Sequence, residues 1–161
     1  MDKELSAGAK RIQAFFNSKG LAFEVLELPG STRTAKEAAQ TIGCEVAQIA
    51  KSLIFKDINS DEPILIIASG SNQVDLNKVE QCGQFQLGKA DAKFVKEKVG
   101  FSIGGVPPVG HMQPVKTFID KDIKQFSEIW AAAGSPFAVF KLKPSDLAEM
   151  IEAEWIDLKQ R

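Results

Sequence analysis

A lysine stands at an unusual place in this sequence. In Val46-Ala-Gln-Ile-Ala-Lys51-Ser-Leu-Ile-Phe55 the ammonium of Lys51 sits among apolar neighbours. A cation held partly out of water suits gripping a phosphate or carboxylate, and its pKa is easily tuned. The plainer reading is a lysine that snorkels from a helix end, where cations also favour the dipole. A second candidate is the stretch Gly104-Gly-Val-Pro-Pro-Val-Gly-His111. Glycines let a backbone come close to a ligand and prolines fix its dihedrals, so the loop can present rigid N–H and C=O groups to a developing oxyanion. It could equally be a stiff connector. It is not a P-loop, because no Gly-Lys-Ser/Thr follows. Ser69 and Gly70, at the end of the apolar run Pro63–Ala68, could edge a pocket, while Asn72 or Asp75 caps the next helix. His111 could act as a base or a donor, or simply shape the loop.

Other chemistries lack their residues. No Ser-His-Asp order, Cys-His grouping or paired carboxylate motif stands out. The single histidine and the two cysteines, Cys44 and Cys82, show no metal-ligand spacing, so neither a metal site nor a disulfide framework is expected. With 20 basic residues against 21 acidic ones the net charge is −1, which argues against coating nucleic acid by bulk charge and leaves room for a local basic rim. No apolar run approaches the ~20 residues of a membrane span and no apolar leader opens the chain, so a cytoplasmic address without membrane contact is expected.

The elements that must position these residues follow from periodicity and punctuation. At 161 residues, 44% of them apolar, the chain is expected to form a single domain over residues 1–161. Leu5, Ala9, Ile12, Phe15 and Phe16 predict a helix over Lys3–Ser18, and Phe23–Leu28 a strand. Thr34 caps a helix over Ala35–Ile42 that ends at Gly43. A short helix is expected from Glu45 to about Lys51, then strands Ser52–Phe55 and Ile64–Ala68 as a hairpin around Asn59–Pro63. Helices follow over Asp75–Gln81 and Asp91–Lys98, separated by Gly88. Phe101–His111, with three glycines and two prolines, reads as irregular. Val115–Ile119 and Pro136–Leu142 read as strands, Ile123–Trp130 as a short helix or strand, Pro144–Ile151 as a helix and Trp155–Leu158 as a last strand. Helices and strands mix without strict βαβ alternation. That points to an α+β fold, a mixed, mostly antiparallel sheet or barrel flanked by helices.

At these same residues the chain resembles the YbaK/EbsC family, which also occurs as the editing insertion of bacterial prolyl-tRNA synthetases. The matching stretches are Thr34–Gly43, Ile49–Phe55, Ser69-Gly70 with Asp75, Gly100–His111, Phe118-Ile-Asp120, Ala133-Gly-Ser135, and Leu142 with Pro144–Leu147. They occur in family order across roughly residues 30 to 150. The resemblance implies hydrolysis of the ester that joins a wrongly attached small amino acid (Cys, Ala, Ser or Thr) to the 3′ end of a tRNA. It needs no cofactor or metal, and the synthetase is a conceivable partner while DNA is not. It makes Lys51 the catalytic residue. It gives substrate-binding roles to Thr34, Ser69, Gly70 and Asp120, and to Ile103, Gly104, Gly105, Val106, Pro107, Pro108, Gly110 and His111 of the loop. Lys36, Lys51, Lys56 and Lys89 or Lys93 would form a basic rim. A non-catalytic module of the same fold that grips tRNA or a synthetase is the alternative, and a Schiff-base enzyme using Lys51 a more distant one.

Overall fold

The computed structural model describes residues 5–161. The start expected for the first helix, Lys3, lies outside the described residues. Helix α1 is Ala7–Ser18, with Ser6 Oγ accepting from Ala9 N, and it buries Ala9, Ile12 and Phe16. The strands are β1 (Leu26–Glu27), β2 (Ile49–Asp57), β3 (Glu62–Ser69), β4 (Leu87–Lys89), β5 (Lys116–Asp120), β6 (Ile129–Ala132), β7 (Ala138–Leu142) and β8 (Glu154–Ile156). Between them run helices α2 (Ala35–Ile42), α3 (Leu76–Gly83), α4 (Ala92–Val99) and α5 (Pro144–Met150).

The eight strands make one sheet in the order β1-β7-β6-β2-β3-β5-β8, with β4 joined to β2. The pairs β1–β7, β2–β3, β2–β4 and β6–β7 are antiparallel, whereas β2–β6, β3–β5 and β5–β8 are parallel. The fold is therefore α+β with a mixed sheet flanked by helices. Strand β3 explains the uninterrupted run Ile64–Ala68, since it is covered on both faces. Leu65 and Ile67 join the main core with Ile12, Phe16, Val95, Phe140 and Leu147, while Ile64, Ile66 and Ala68 pack on the opposite face with Val79, Phe118 and Leu158. The alternation is the period of two of a pleated strand.

Four expectations change. The first strand shrinks to Leu26–Glu27, because the chain pairs only where it meets Val139 and Ala138. The expected helix over Glu45–Lys51 is a single 3-10 turn, Val46–Gln48, and Lys51 lies inside β2, where β3 and β6 capture the backbone. Gly88 does not separate two helices; it is the middle of β4, paired with Lys56. Ile123–Trp130 divides into a 3-10 helix, Lys121–Gln125, and the start of β6.

Candidate functional site

The site begins with an interruption in the sheet. On one side β2 is paired with β3 along its whole length, from Ala50↔Ser69 to Asp57↔Glu62. On its other side β6 pairs only at Ile49 and Ala50, and β4 takes over only at Phe55. Between them the strand edge has no neighbour, and a cleft of about 480 Å³ opens there. Its floor is Ile49–Phe55, and the other walls come from α2 and the residues before it, from Gly104 and Val106, from Val95, and from β6 and β7.

Helix α2 reaches the cleft because of its cap and one glycine. Thr34 Oγ1 accepts from Glu37 N at 3.1 Å, so this hydroxyl is committed to starting the helix. At Gly70 a Cβ would run into Val46 O and come within 2.8 Å of Ala35 Cβ. Only glycine lets the end of β3 pass beneath the start of α2. The amide of Gly70 donates to Ile49 O at 2.7 Å, which seals the corner.

Lys51 projects from the floor, half-buried, and its Nζ donates to Asn72 O at 2.9 Å. Behind it lies Asp120, almost fully buried. Asp120 Oδ2 accepts from Ser69 N at 3.1 Å and from Asn72 Nδ2 at 2.8 Å, and Oδ1 accepts from Asp122 N at 2.9 Å. Asp120 thus folds the Ser69–Asn72 turn against the lysine and leaves the ammonium itself unpaired by a direct salt bridge among the described residues. Burial lowers the Lys51 pKa from its ordinary value, and the charge of Asp120 opposes that in part. Arg33 and Lys36, both exposed, stand with Lys51 around the cleft, and its lining includes no Asp or Glu. In a chain of net charge −1 this is a local concentration of positive charge.

The glycine- and proline-rich stretch divides into two halves. Ile103, Gly104 and Val106 line the cleft, Ile103 with an exposed side chain. Gly105 lies beneath them, and a Cβ there would stand 2.7–2.9 Å from three backbone atoms of Ser135. Its N–H is taken by Ser102 O at 3.0 Å, and its carbonyl accepts from Gly134 N at 2.9 Å. Among the described residues the amides of Ile103, Gly104 and Val106 in this half have no backbone acceptor. The second half faces away: Pro107 and Pro108 are buried, and Gly110 packs on Ile12 and Phe15 of α1. His111 Nε2 lies 2.7 Å from Pro107 O and pins this turn. Burial lowers the His111 pKa, the bond to Pro107 opposing it only in part, so the ring is neutral at pH 7 and donates from Nε2.

Of the residues singled out in the sequence, the structure brings Thr34, Lys51, Gly70, Ile103, Gly104 and Val106 together at the cleft. Ser69 and Asp120 stand behind Lys51, Ser69 Oγ donating to Ala47 O at 2.7 Å. Gly105, Pro107, Pro108, Gly110 and His111 support the loop and do not line the cleft. Lys36 reaches it, while Lys56, Lys89 and Lys93 do not. Sequence reasoning passed over Arg33, Ser52, Ile54, Val95, Trp130 and Val139. Ser52 carried a signal, as a polar residue inside an apolar strand. Val95, Trp130 and Val139 look like ordinary core residues until the sheet brings them to one place.

Comparison with known proteins agrees with this architecture. The family model of the aminoacyl-tRNA editing domain matches residues 30–150, and the chain belongs to that family. It is 33% identical over 150 residues to the uncharacterized protein YwhH of Bacillus subtilis (strain 168), covering 92% of this chain and 95% of that one. It is 22% identical over 126 residues to EbsC of Enterococcus faecalis (strain ATCC 700802 / V583), named as a candidate Cys-tRNA(Pro)/Cys-tRNA(Cys) deacylase, with 78% of this chain and 76% of that one covered. A crystal structure described as that of a candidate trans-editing enzyme for prolyl tRNA synthetase superposes with a TM-score of 0.91 at 43% identity, over 98% of this chain and 100% of the other.

Proposed function

We propose that this protein is an aminoacyl-tRNA deacylase that removes a small, wrongly attached amino acid from the 3′ end of tRNA. The observation that carries the reading is the cleft itself: cations at its mouth, no acidic residue in its wall, and a largely apolar interior. In this reading Arg33 and Lys36 meet the terminal phosphates and Lys51 meets the ester, all three lining the cleft. Trp130 lines the same cleft and gives a flat face on which a terminal base can stack.

The reaction asks little of the protein. Water attacks the acyl carbon, the bond from that carbon to the ribose oxygen breaks, and the ribose oxygen takes a proton. An aminoacyl ester is already activated, so orientation and charge stabilisation supply most of the rate. Lys51 balances the charge that develops on the carbonyl oxygen, and the Gly104 and Val106 amides on the same cleft are available as further donors. The family membership, the relative named as a candidate Cys-tRNA deacylase and the candidate trans-editing neighbour support the reading. Association with a prolyl-tRNA synthetase belongs to the same proposal.

The test is release of labelled amino acid from tRNAPro mischarged with Cys, Ala, Ser or Thr, by wild type and Lys51→Ala. The expected result is rapid release of one or more small amino acids that the variant loses. Release no faster than the spontaneous rate on every tRNA would refute the proposal and favour a binding module.

A further inference from the structure

Lys51 is held from behind by a turn, and that turn is itself held by the end of the chain. Asn72 N donates to Ser69 O at 2.9 Å, which closes the turn, and Asn72 O accepts from Lys51 Nζ at 2.9 Å. Past the turn, residues 158–160 lie antiparallel to residues 73–75. Lys159 pairs with Val74, Asp75 N donates to Leu158 O at 2.7 Å, and Gln160 N donates to Gln73 O at 2.8 Å. Leu158 is fully buried and Lys78 Nζ donates to Lys159 O at 2.8 Å, so this strap is anchored by contacts of its own. None of the motifs that mark the site in the sequence extends past Leu147.

The side chain of Asn72 is where strap and turn meet. Its Nδ2 donates to Asp120 Oδ2 at 2.8 Å and to Asp122 Oδ2 at 3.0 Å, so two carboxylates share one amide group. Like charges brought together in this way repel unless a cation stands beside them. Lys159 supplies it, with Nζ 3.1 Å from Asp122 Oδ2. The hydrogen bond from Asn72, and then the one from Lys159, lower the Asp122 pKa from its ordinary value. Lys159 itself does not line the cleft.

Building on the deacylase reading above, we infer that Lys159 and Asn72 are positioning residues for Lys51, so that the C-terminal strap sets the direction in which the ammonium enters the cleft. Lys159 holds Asp122, the two carboxylates hold the Asn72 amide, and the Asn72 carbonyl holds Nζ. A lysine has a long flexible stem. Among the described residues the bond to Asn72 O is the one hydrogen bond of this ammonium. While that carbonyl is fixed, the ammonium meets the ester at one place. Once it is loose, the ammonium samples several, and a displacement of about 1 Å costs a reaction that runs on orientation far more in rate than in binding.

Two readouts test this. The first is single-turnover release from mischarged tRNAPro at saturating protein. Lys159→Met, which keeps the backbone pairing of the strap, and Asp122→Asn are each expected to slow release about fivefold, the worth of one partly exposed ion pair. Binding of the same tRNA should stay within about twofold, and Lys159→Arg, which keeps the cation, should retain most of the rate. In an Asn72→Ala background Lys159→Met should slow release no further, because its path to Lys51 is already cut. The second readout needs no turnover: the NMR signals of the two Lys51 Hε protons, assigned by their absence in Lys51→Met. A held side chain keeps them distinct and a freely turning one merges them, so wild type and Lys159→Arg should show two and Lys159→Met one. If no tRNA is hydrolysed but the signals merge in Lys159→Met and not in Lys159→Arg, the deacylase reading fails and the positioning role stands. If hydrolysis is rapid and Lys159→Met leaves either the signals or the release rate as in wild type, or loses tRNA binding in step with the rate, the positioning role is overturned and the deacylase reading stands.

Discussion

Replacing Lys51 by methionine separates function from stability at the same residue. An ammonium about 4 Å from a phosphate or developing oxyanion contributes about 4 kcal/mol at an effective dielectric near 20. Lys51 is only half-buried, so water screens part of this, and about 2 kcal/mol is a fair expectation, or roughly thirtyfold in rate. Stability should move the other way. Burial is the main influence on the Lys51 pKa and lowers it, with Asp120 opposing. A lysine whose pKa is lower folded than unfolded holds its proton less well in the native state. Stability therefore rises with pH through the window between the two values, and below that window the whole cost of burying the charge is present. At neutral pH methionine removes that cost and keeps the packing of the stem, and this offsets the loss of the hydrogen bond from Nζ to Asn72 O. Asp120 loses a distant countercharge but keeps its hydrogen bonds from Ser69, Asn72 and Asp122. The expected outcome for Lys51→Met is a loss of deacylation of at least tenfold, measured under single turnover, with a melting temperature equal to or above that of wild type. A variant that hydrolyses within threefold of wild type, or melts several degrees lower, would show that Lys51 is a structural lysine and that the reasoning is wrong.

Other substitutions probe the supports of the cleft. Asp120→Ala leaves three donors without their acceptor and should destabilise the protein by about 3 kcal/mol in urea unfolding; it should also slow deacylation, because the Ser69–Asn72 turn that receives Lys51 is released. Gly105→Ala forces a methyl against the Ser135 backbone and should cost about 2 kcal/mol by the same measurement, an effect that vanishes if the loop has room to shift. The lowered His111 pKa predicts stability that is present at neutral pH and lost as the pH falls from about 6.5 through the folded value. Thermal melts between pH 7.5 and 5 should therefore fall less steeply for His111→Gln, with deacylation at pH 7.5 little changed.

Local signals in the sequence located α2 well. Thr34 caps it as expected and Gly43 ends it in a left-handed conformation. The hairpin β2–β3 was legible for a similar reason, two apolar runs around a polar turn. What escaped was decided by neighbours distant in sequence. Leu87-Gly-Lys89 has no strand pattern of its own and becomes β4 only because β2 offers an edge. Lys51 reads as a helix-end residue until β3 pairs with it through Ala68. The loop was legible as rigid and glycine-rich, but not that its two halves face different ways: that depends on α1 packing beneath Gly110 and on Ser135 packing beneath Gly105. Ser52 could have been noticed as a polar residue among apolar ones, but its place at the cleft depends on where β6 stops.

The gap along β2 also constrains how the protein comes into being. The walls of the cleft are drawn from residue 32 to residue 139, and one of them, β6, joins β2 by a parallel pairing between residues about eighty apart. Pairings of such long loop closure form late in folding, because the entropy of bringing the ends together is lost before contacts repay it. A chain still short of β7 can build the β2–β3 hairpin with Lys51 upon it, yet it has no chamber. The cleft should therefore appear in one step near the end of folding, and an uncompleted chain carrying the lysine would have no site in which to hold a ligand.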